Sequence, residues 1–286
     1  MLVVGGSGFV GSVLVRRAAA EGHATHATYR GGLPPAVPGV VGHALDLRDG
    51  AAIDRLVDAV APRVVVNVSS GGADRTVTAE GAGRLALAVA RRGARLVHVS
   101  SDAVFSGGLP AYAEHHAPDP VTPYGAAKAA AETVVRLVAP DAVVARTSLV
   151  IGDAGRPSEH ERLVHALAGG RRGTLWTDDV RCPVHVTDLA AALCELAEGD
   201  CGGVVHLGGA EALSRYELGT LLAERDGLDA GALRAGKRPS GPSVIRLIAG
   251  AETRRAVRTR LRGAREFLSR GRPDTERTGN SRHPDG

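Results

Sequence analysis

Two residues able to share a proton lie one helical turn apart in "VTPYGAAKAAAE", residues 121–132: Tyr124 and Lys128. The chain has 35 basic residues, of which only Lys128 and Lys237 are lysines, and four tyrosines among 286 residues. Random placement gives about 0.03 such Tyr-x3-Lys pairs, so coincidence is a poor account of the spacing. On a helix both side chains project from one face. Carbonyl reduction needs a hydride and a proton for the developing alkoxide. A free phenol titrates near ~10, and a neighbouring ammonium is expected to lower that value. A third group must hold the carbonyl oxygen. "VHVSSDAVF" ends an apolar run in two serines, and open α/β sheets bind ligands at the carboxyl ends of their strands. Ser101 is the expected hydroxyl, with Ser100 second.

A hydride carrier would sit on "GGSGFVGS", which spaces Gly5, Gly8 and Gly11 by three residues between an apolar run and a helical pattern. One glycine makes the tight turn, the second admits a pyrophosphate, and the third lets helix and strand pack closely. Phe9 and Val10 lead into the helical "VGSVLVRRAAAEG", whose start offers unpaired N–H groups and a positive dipole end. The next apolar run closes in "TYR", where Arg30 suits the 2′-phosphate of NADP better than the bare ribose of NAD. Asp46 and Leu47 end the third run and Asn67 the fourth, so all three are expected at the cofactor. Asp46 serves equally as the cap of the helix that follows.

These residues need a scaffold. The first 150 residues alternate short apolar runs with helical patterns, which predicts βαβ units and a Rossmann-type, doubly wound parallel sheet. The strands are "LVVGG", "ATHATYR", "VVGHALDL", "RVVVNVSS", "ARLVHVSSD" and "AVVARTSLVIG". Residues 1–151 are read as a dinucleotide-binding domain that strand 203–209 joins, and residues 152–270 mainly as a smaller substrate-binding lobe built from separated segments. "ETRRAVRTRLRGAREFLSR" reads as one helix near the end.

Charge and composition narrow the classes. The net charge is +4, yet residues 253–286 hold ten arginines against four acids, which leaves the rest slightly acidic. Basicity is therefore a property of the C-terminal end, whose last residues, 271–286, read as a disordered basic tail. No specific nucleic-acid partner is expected. No apolar run approaches the ~18–20 residues of a membrane span, and "MLVVGGSGFVG" lacks the basic start of a secretory signal. Three unpaired cysteines, Cys182, Cys194 and Cys201, fit a cytoplasmic chain.

Together "GGSGFVG", "VSSDAVFSG", "YGAAK" and "RTSLVIG" resemble the extended short-chain dehydrogenase/reductases. Within them, "SSDAVFSG", "YAEHHAPDPVTPYG", "RCPVHVTDLAAAL" and "GVVHLGGAEALSRYELG" are similar to the dTDP-4-dehydrorhamnose reductase branch. The resemblance implies NAD(P)H-dependent reduction of a keto group on a nucleotide-linked deoxysugar, NADPH being favoured. It puts Ser101, Tyr124 and Lys128 in catalytic roles, Tyr124 and Lys128 also touching the cofactor. The sequence departs from the branch at Thr78, Ala103 and Leu149, and in the "SSGGAD" that follows Asn67. A sugar-nucleotide epimerase and a non-catalytic dinucleotide-binding subunit are the alternatives, and a homodimer is a candidate assembly.

Other polar residues have structural readings. Asp188 is expected to cap a helix, and His185 and His206 to be hydrogen-bonded within the core. Arg146 is expected to support a strand end, and Trp176 to pack. No His/Asp/Glu set shows metal-ligand spacing.

Overall fold

A computed structural model describes residues 1–31, 36–153 and 155–269. Seven strands form the central sheet: β1 Leu2–Val4, β2 Thr25–Tyr29, β3 Val40–Ala44, β4 Val64–Asn67, β5 Arg95–Ser101, β6 Val143–Thr147 and β7 Gly203–Leu207. All neighbours are parallel, in the order β7-β6-β5-β4-β1-β2-β3. The order reverses beside β1, the switch point at which such sheets open a crevice.

Helices cover both faces, as β-strands of unbroken apolar residues require. α1 (Phe9–Ala20) and α6 (Val186–Glu198) bury one face with Val3, Val66, Val97 and Ala145. α2 (Gly50–Val60), α3 (Ala82–Arg91) and α4 (Pro123–Val138) cover the other with Leu2, Val65, Leu96 and Val144. Local chemistry sets the helix ends. Thr122 caps α4 by accepting from Gly125 N at 3.0 Å, with Pro123 at the first helical position. α2 stops at Ala61, which is forced to φ 43° just before Pro62. Asp49, rather than Asp46, caps α2.

α5 (Glu159–Ala168), α7 (Arg215–Asp226) and short strand pairs make a second core around Val164, Leu167, Leu175, Leu218 and Leu222. The strand pairs join Leu175–Trp176 to Ala235–Gly236, and Asp179–Arg181 to both Leu213–Ser214 and Ser243–Val244.

Three local features differ from expectation. The single late helix is instead α8 (Ala251–Ala256) and α9 (Ala264–Leu268). Val257 turns extended and buries its side chain, Arg262 reaches Asp188, and Gly263 starts the second helix. Asp188 is accordingly not a cap: His185 caps α6, and Asp188 receives the Arg262 guanidinium at 2.9 Å. α3 is preceded by a wider π-helical turn, Thr76–Gly81, that no local pattern announces. The tail at 271–286 lies outside the described residues. Among the described residues, no helix is long and apolar enough to cross a membrane.

Candidate functional site

The crevice at the switch point is a cavity of about 460 Å³. Its floor is the glycine turn. Gly5 stands at φ +91°, and a Cβ there would lie 2.9 Å from the backbone of Ser69. Thr28 fixes the turn by accepting from Gly5 N at 2.9 Å. Gly8 heads α1 with no side-chain cap, which leaves the first N–H groups of the helix available to an anion. Gly5, Gly8, Phe9, Val10, Arg30, Asp46 and Leu47 all line the cavity, together with Ser69 and Ser70.

Four residues expected at the cofactor, Gly11, Asn67, Tyr124 and Lys128, do not line this cavity. Gly11 lies under the turn, where a Cβ would come within 2.1 Å of Gly5 O; its part is helix–turn packing. Asn67 is buried: its Oδ1 accepts from Ser69 N at 3.1 Å and Ser69 Oγ at 2.5 Å, and its amide meets His98 Nδ1 at 3.2 Å. It shapes the segment that closes over Gly5 and does not face the cavity. Asp46 is held by Arg48, which donates from its main-chain N at 3.0 Å and its guanidinium at 3.1 Å. Those bonds, the backbone one foremost, keep its carboxyl below the usual range.

The proton-handling residues converge at the carboxyl ends of β4 and β5. Ser101 and Ser100 leave β5 on opposite faces, as strand alternation demands. Ser100 is buried and donates to Glu132 at 2.6 Å, beside the Glu132–Arg146 ion pair at 2.7 Å. That network is structural, and Arg146, 1 % exposed, supports the strand end. Ser101 is half-buried; its Oγ accepts from Ala103 N at 3.2 Å and donates to Asp102 Oδ1 at 3.4 Å, a long bond that a better acceptor can displace. The Tyr124 phenol lies beside the hydroxyls of Ser101 and Ser70.

The tyrosine's ionisation corrects the expectation drawn from spacing. Burial raises the Tyr124 phenol above its ordinary value; Ser101 and Ser70 oppose the rise, and the charges of Asp102 and Glu159 add to it. Lys128 is not among the principal influences. Its ammonium is buried and donates to Val99 O at 3.0 Å, and it lines no part of the cavity. Burial brings its pKa down to about 8, against the partial support of Glu132.

A chain of charges leads from Ser101 into the second core. Asp102, 4 % exposed, accepts from Ser148 Oγ at 2.7 Å and faces Arg181 at 3.6 Å. Burial raises its carboxyl, with Arg181 opposing. Arg181 pairs with Asp179 at 2.7 Å, and Asp179 with Arg215 at 3.3 Å. Arg215 and Asp179 line a second cavity of about 220 Å³ with His160, Leu175 and Trp176. Trp176 therefore forms a cavity wall as well as packing. Sequence reasoning missed Ser70, Arg181, Asp179 and Arg215, none of which stands in a pattern that marks it.

His185 and His206 are hydrogen-bonded and buried, His185 to Thr187 at 2.7 Å and His206 to Ile248 O at 3.1 Å. The fold also gathers Glu21, His23 and Glu198, ligand-type atoms within 4.8 Å of one another, the last from a position too distant in sequence to show spacing. Glu21 is paired with Arg17 at 2.7 Å and His23 with Glu198 at 2.8 Å.

The family described as RmlD substrate binding domain matches residues 1–246. The dTDP-4-dehydrorhamnose reductase of Mycolicibacterium smegmatis is 30% identical over 286 residues, covering 94% of this chain and 83% of its own. Among solved structures, the dTDP-4-dehydrorhamnose reductase of Bacillus anthracis in complex with NADP superposes with a TM-score of 0.74 at 20% identity, covering 93% of this chain and 96% of its own. The Bordetella bronchiseptica enzyme WbmH in complex with NAD+ gives 0.80 at 17% identity, covering 93% and 95%. The two superpositions agree with the Rossmann-type fold. The chain belongs to the RmlD substrate binding domain family, within the extended short-chain dehydrogenase/reductase superfamily of NAD(P)-dependent oxidoreductases.

Proposed function

We propose that this protein reduces a keto group on a nucleotide-linked deoxysugar, with NADPH preferred over NADH. The observation that carries the reading is the meeting of the Tyr124 phenol with the Ser101 hydroxyl and with Ser70, which itself lines the glycine-turn cavity. Relatives named as dTDP-4-dehydrorhamnose reductases support the substrate class.

The residues present suit a nicotinamide dinucleotide. The turn at Gly5 and Gly8 and the uncapped start of α1 would take its pyrophosphate, and Arg30 a 2′-phosphate. When bound, the cofactor supplies the hydride that reduces the carbonyl carbon. Ser101 donates to the carbonyl oxygen and orients it. Tyr124 gives its phenolic proton to that oxygen, for which a raised pKa keeps the acid loaded at neutral pH. Lys128 acts from behind: bound to Val99 O, it fixes the face of α4 that presents Tyr124. The second cavity, with Trp176 as an aromatic wall and Arg215 as a cation, offers a base-stacking surface and an anion partner to a nucleotide group.

The test is to supply purified protein and NADPH with dTDP-linked 4-keto and 3-keto 6-deoxyhexoses and follow NADPH consumption. Turnover with one of them is expected, and Tyr124→Phe should lower kcat at least ~100-fold while NADPH still binds. NADPH binding without turnover on the whole panel would leave the non-catalytic alternative standing and overturn this reading.

A further inference from the structure

The segment between β6 and α5 carries an arginine that turns back onto the glycine turn. Arg156 donates to Ser12 Oγ and, at 3.4 Å, to Gly8 O. The two acceptors stand one helical turn apart on α1, since Gly8 O also accepts from Ser12 N at 3.0 Å. Between them lie Phe9 and Val10, which line the cofactor cavity and whose N–H groups have no partner within the helix. Ser12 is fully buried and spends its own hydrogen on Phe9 O at 3.1 Å, so Arg156 supplies the donor that its acceptor side needs.

The segment that bears Arg156 is fastened on its other side to the second core. Glu161 of α5 is 0 % exposed and accepts from Gly152 N at 2.9 Å and from Ser158 N at 2.7 Å. Arg225 of α7 donates to Gly152 O at 2.8 Å and pairs with Glu161 at 2.7 Å. Gly152 is also where the segment meets the Phe9 ring, which a Cβ there would approach to 2.8 Å. The second core therefore reaches the first turn of α1 through the Phe9 ring and through the Arg156 guanidinium. That guanidinium brings charge as well. Among the described residues it pairs with no carboxylate, and its pKa is lowered by burial first and then by the charge of Arg16. The first turn of α1 thus carries positive charge beyond its own dipole, with no counter-ion beside it.

We propose that Arg156 is a positioning residue for the cofactor: its guanidinium ties the first turn of α1 to the substrate-lobe segment and gives that turn the positive charge that a pyrophosphate neutralises. The proposal rests on the glycine turn as a nicotinamide dinucleotide site and is independent of the sugar. Its part differs from that of Arg30. Arg30 meets the group that separates NADPH from NADH, whereas Arg156 acts on the pyrophosphate that both nucleotides share.

Binding to the purified protein separates the two arginines. Arg156→Ala should weaken NADPH and NADH by the same factor, about fivefold to tenfold, in a fluorescence titration. ADP, competing with NADPH, should lose the same factor, while adenosine, which has no phosphate, should compete as it does in wild type. The salt dependence of NADPH affinity should become shallower, because one cation has gone. Arg156→Lys keeps the charge and a donor, and should recover most of both the affinity and the salt dependence. Ser12→Ala removes one of the two acceptors, and combined with Arg156→Ala it should cost less than the product of the single losses. An NADPH affinity in Arg156→Ala within about twofold of wild type overturns the proposal. Equal losses for ADP and adenosine overturn it too, since they would place the effect on the pocket as a whole. Failure of wild-type protein to bind either NADPH or NADH would instead remove the dinucleotide site on which the proposal stands.

Discussion

Arg30 is the residue whose effect depends most on the ligand in front of it. Its guanidinium closes β2 on the cavity wall, exposed. Asp46, the carboxylate on that wall, is hydrogen-bonded by Arg48 and feels the Arg30 charge without a bond to it, which leaves the Arg30 donors to an added anion. A charge-assisted bond to a 2′-phosphate is worth about 1–2 kcal/mol once solvent screening is allowed for. Arg30→Ala should therefore weaken NADPH about tenfold and leave NADH nearly unchanged, as read by fluorescence titration with each nucleotide. Equal losses would remove the preference. At this scale, rarity decided what the sequence revealed. Tyr124 and Lys128 stand out in a chain with four tyrosines and two lysines. Arg181 and Arg215 are two arginines among many, and only the fold sets them around Asp179.

The elements that carry the site were readable because their signals are local. An apolar run, a glycine triplet and a helical pattern define β1, the turn and α1 within twenty residues, and Thr122-Pro123 starts α4 where the motif needs it. What stayed hidden depends on partners distant in sequence. The late helix breaks because Arg262 is drawn to Asp188, 74 residues away, and Val257 is drawn into the core. Asn67 reads as a cavity residue, yet Ser69 and His98 claim it. Lys128 shares the face of Tyr124 as the spacing requires, but burial sends its ammonium to a main-chain oxygen. Gly11 tests the element itself. A methyl group within 2.1 Å of Gly5 O must push α1 off the turn. Overpacking of this kind costs about 1–3 kcal/mol, which for a chain this size lowers Tm by about 2–10 °C. Gly11→Ala should also cost at least ~10-fold in NADPH affinity, because the N–H groups of α1 move with the helix. Unaltered affinity and melting together would show that the turn tolerates the shift.

Stability of the whole molecule should depend on pH through buried histidines that the fold keeps neutral, chiefly His98, His206 and His160. His98 and His206 are each 1 % exposed, and each has an Nε2 without a partner. Burial, helped by the Lys128 charge, brings His98 down to about 3; burial, helped by Arg146, brings His206 down to about 4. In the unfolded chain both return to about 6.5. Their folded values are depressed, so their contribution is complete above pH ~6.5 and is lost as pH falls toward the folded values, where the unfolded chain binds more protons. Each histidine removes up to about 1.4 kcal/mol per pH unit in that window. His98 and His206 together account for about 4 kcal/mol between pH 7 and pH 5, and His160, which burial brings down to about 4, adds about 2 kcal/mol. The carboxylates with lowered values, Asp46, Asp74, Asp226, Glu161 and Glu217, have ordinary values of 3.8 to 4.5, so their loss falls mostly below this interval. Asp102 works in the opposite sense, because its raised carboxyl takes up a proton in the folded protein and offsets part of the decline. Urea unfolding at pH 7, 6 and 5 should show a falling midpoint. His206→Asn keeps a donor for Ile248 O but cannot titrate, and should flatten the decline by about a third relative to its own value at pH 7. An identical slope in that variant would place the acid sensitivity on other groups.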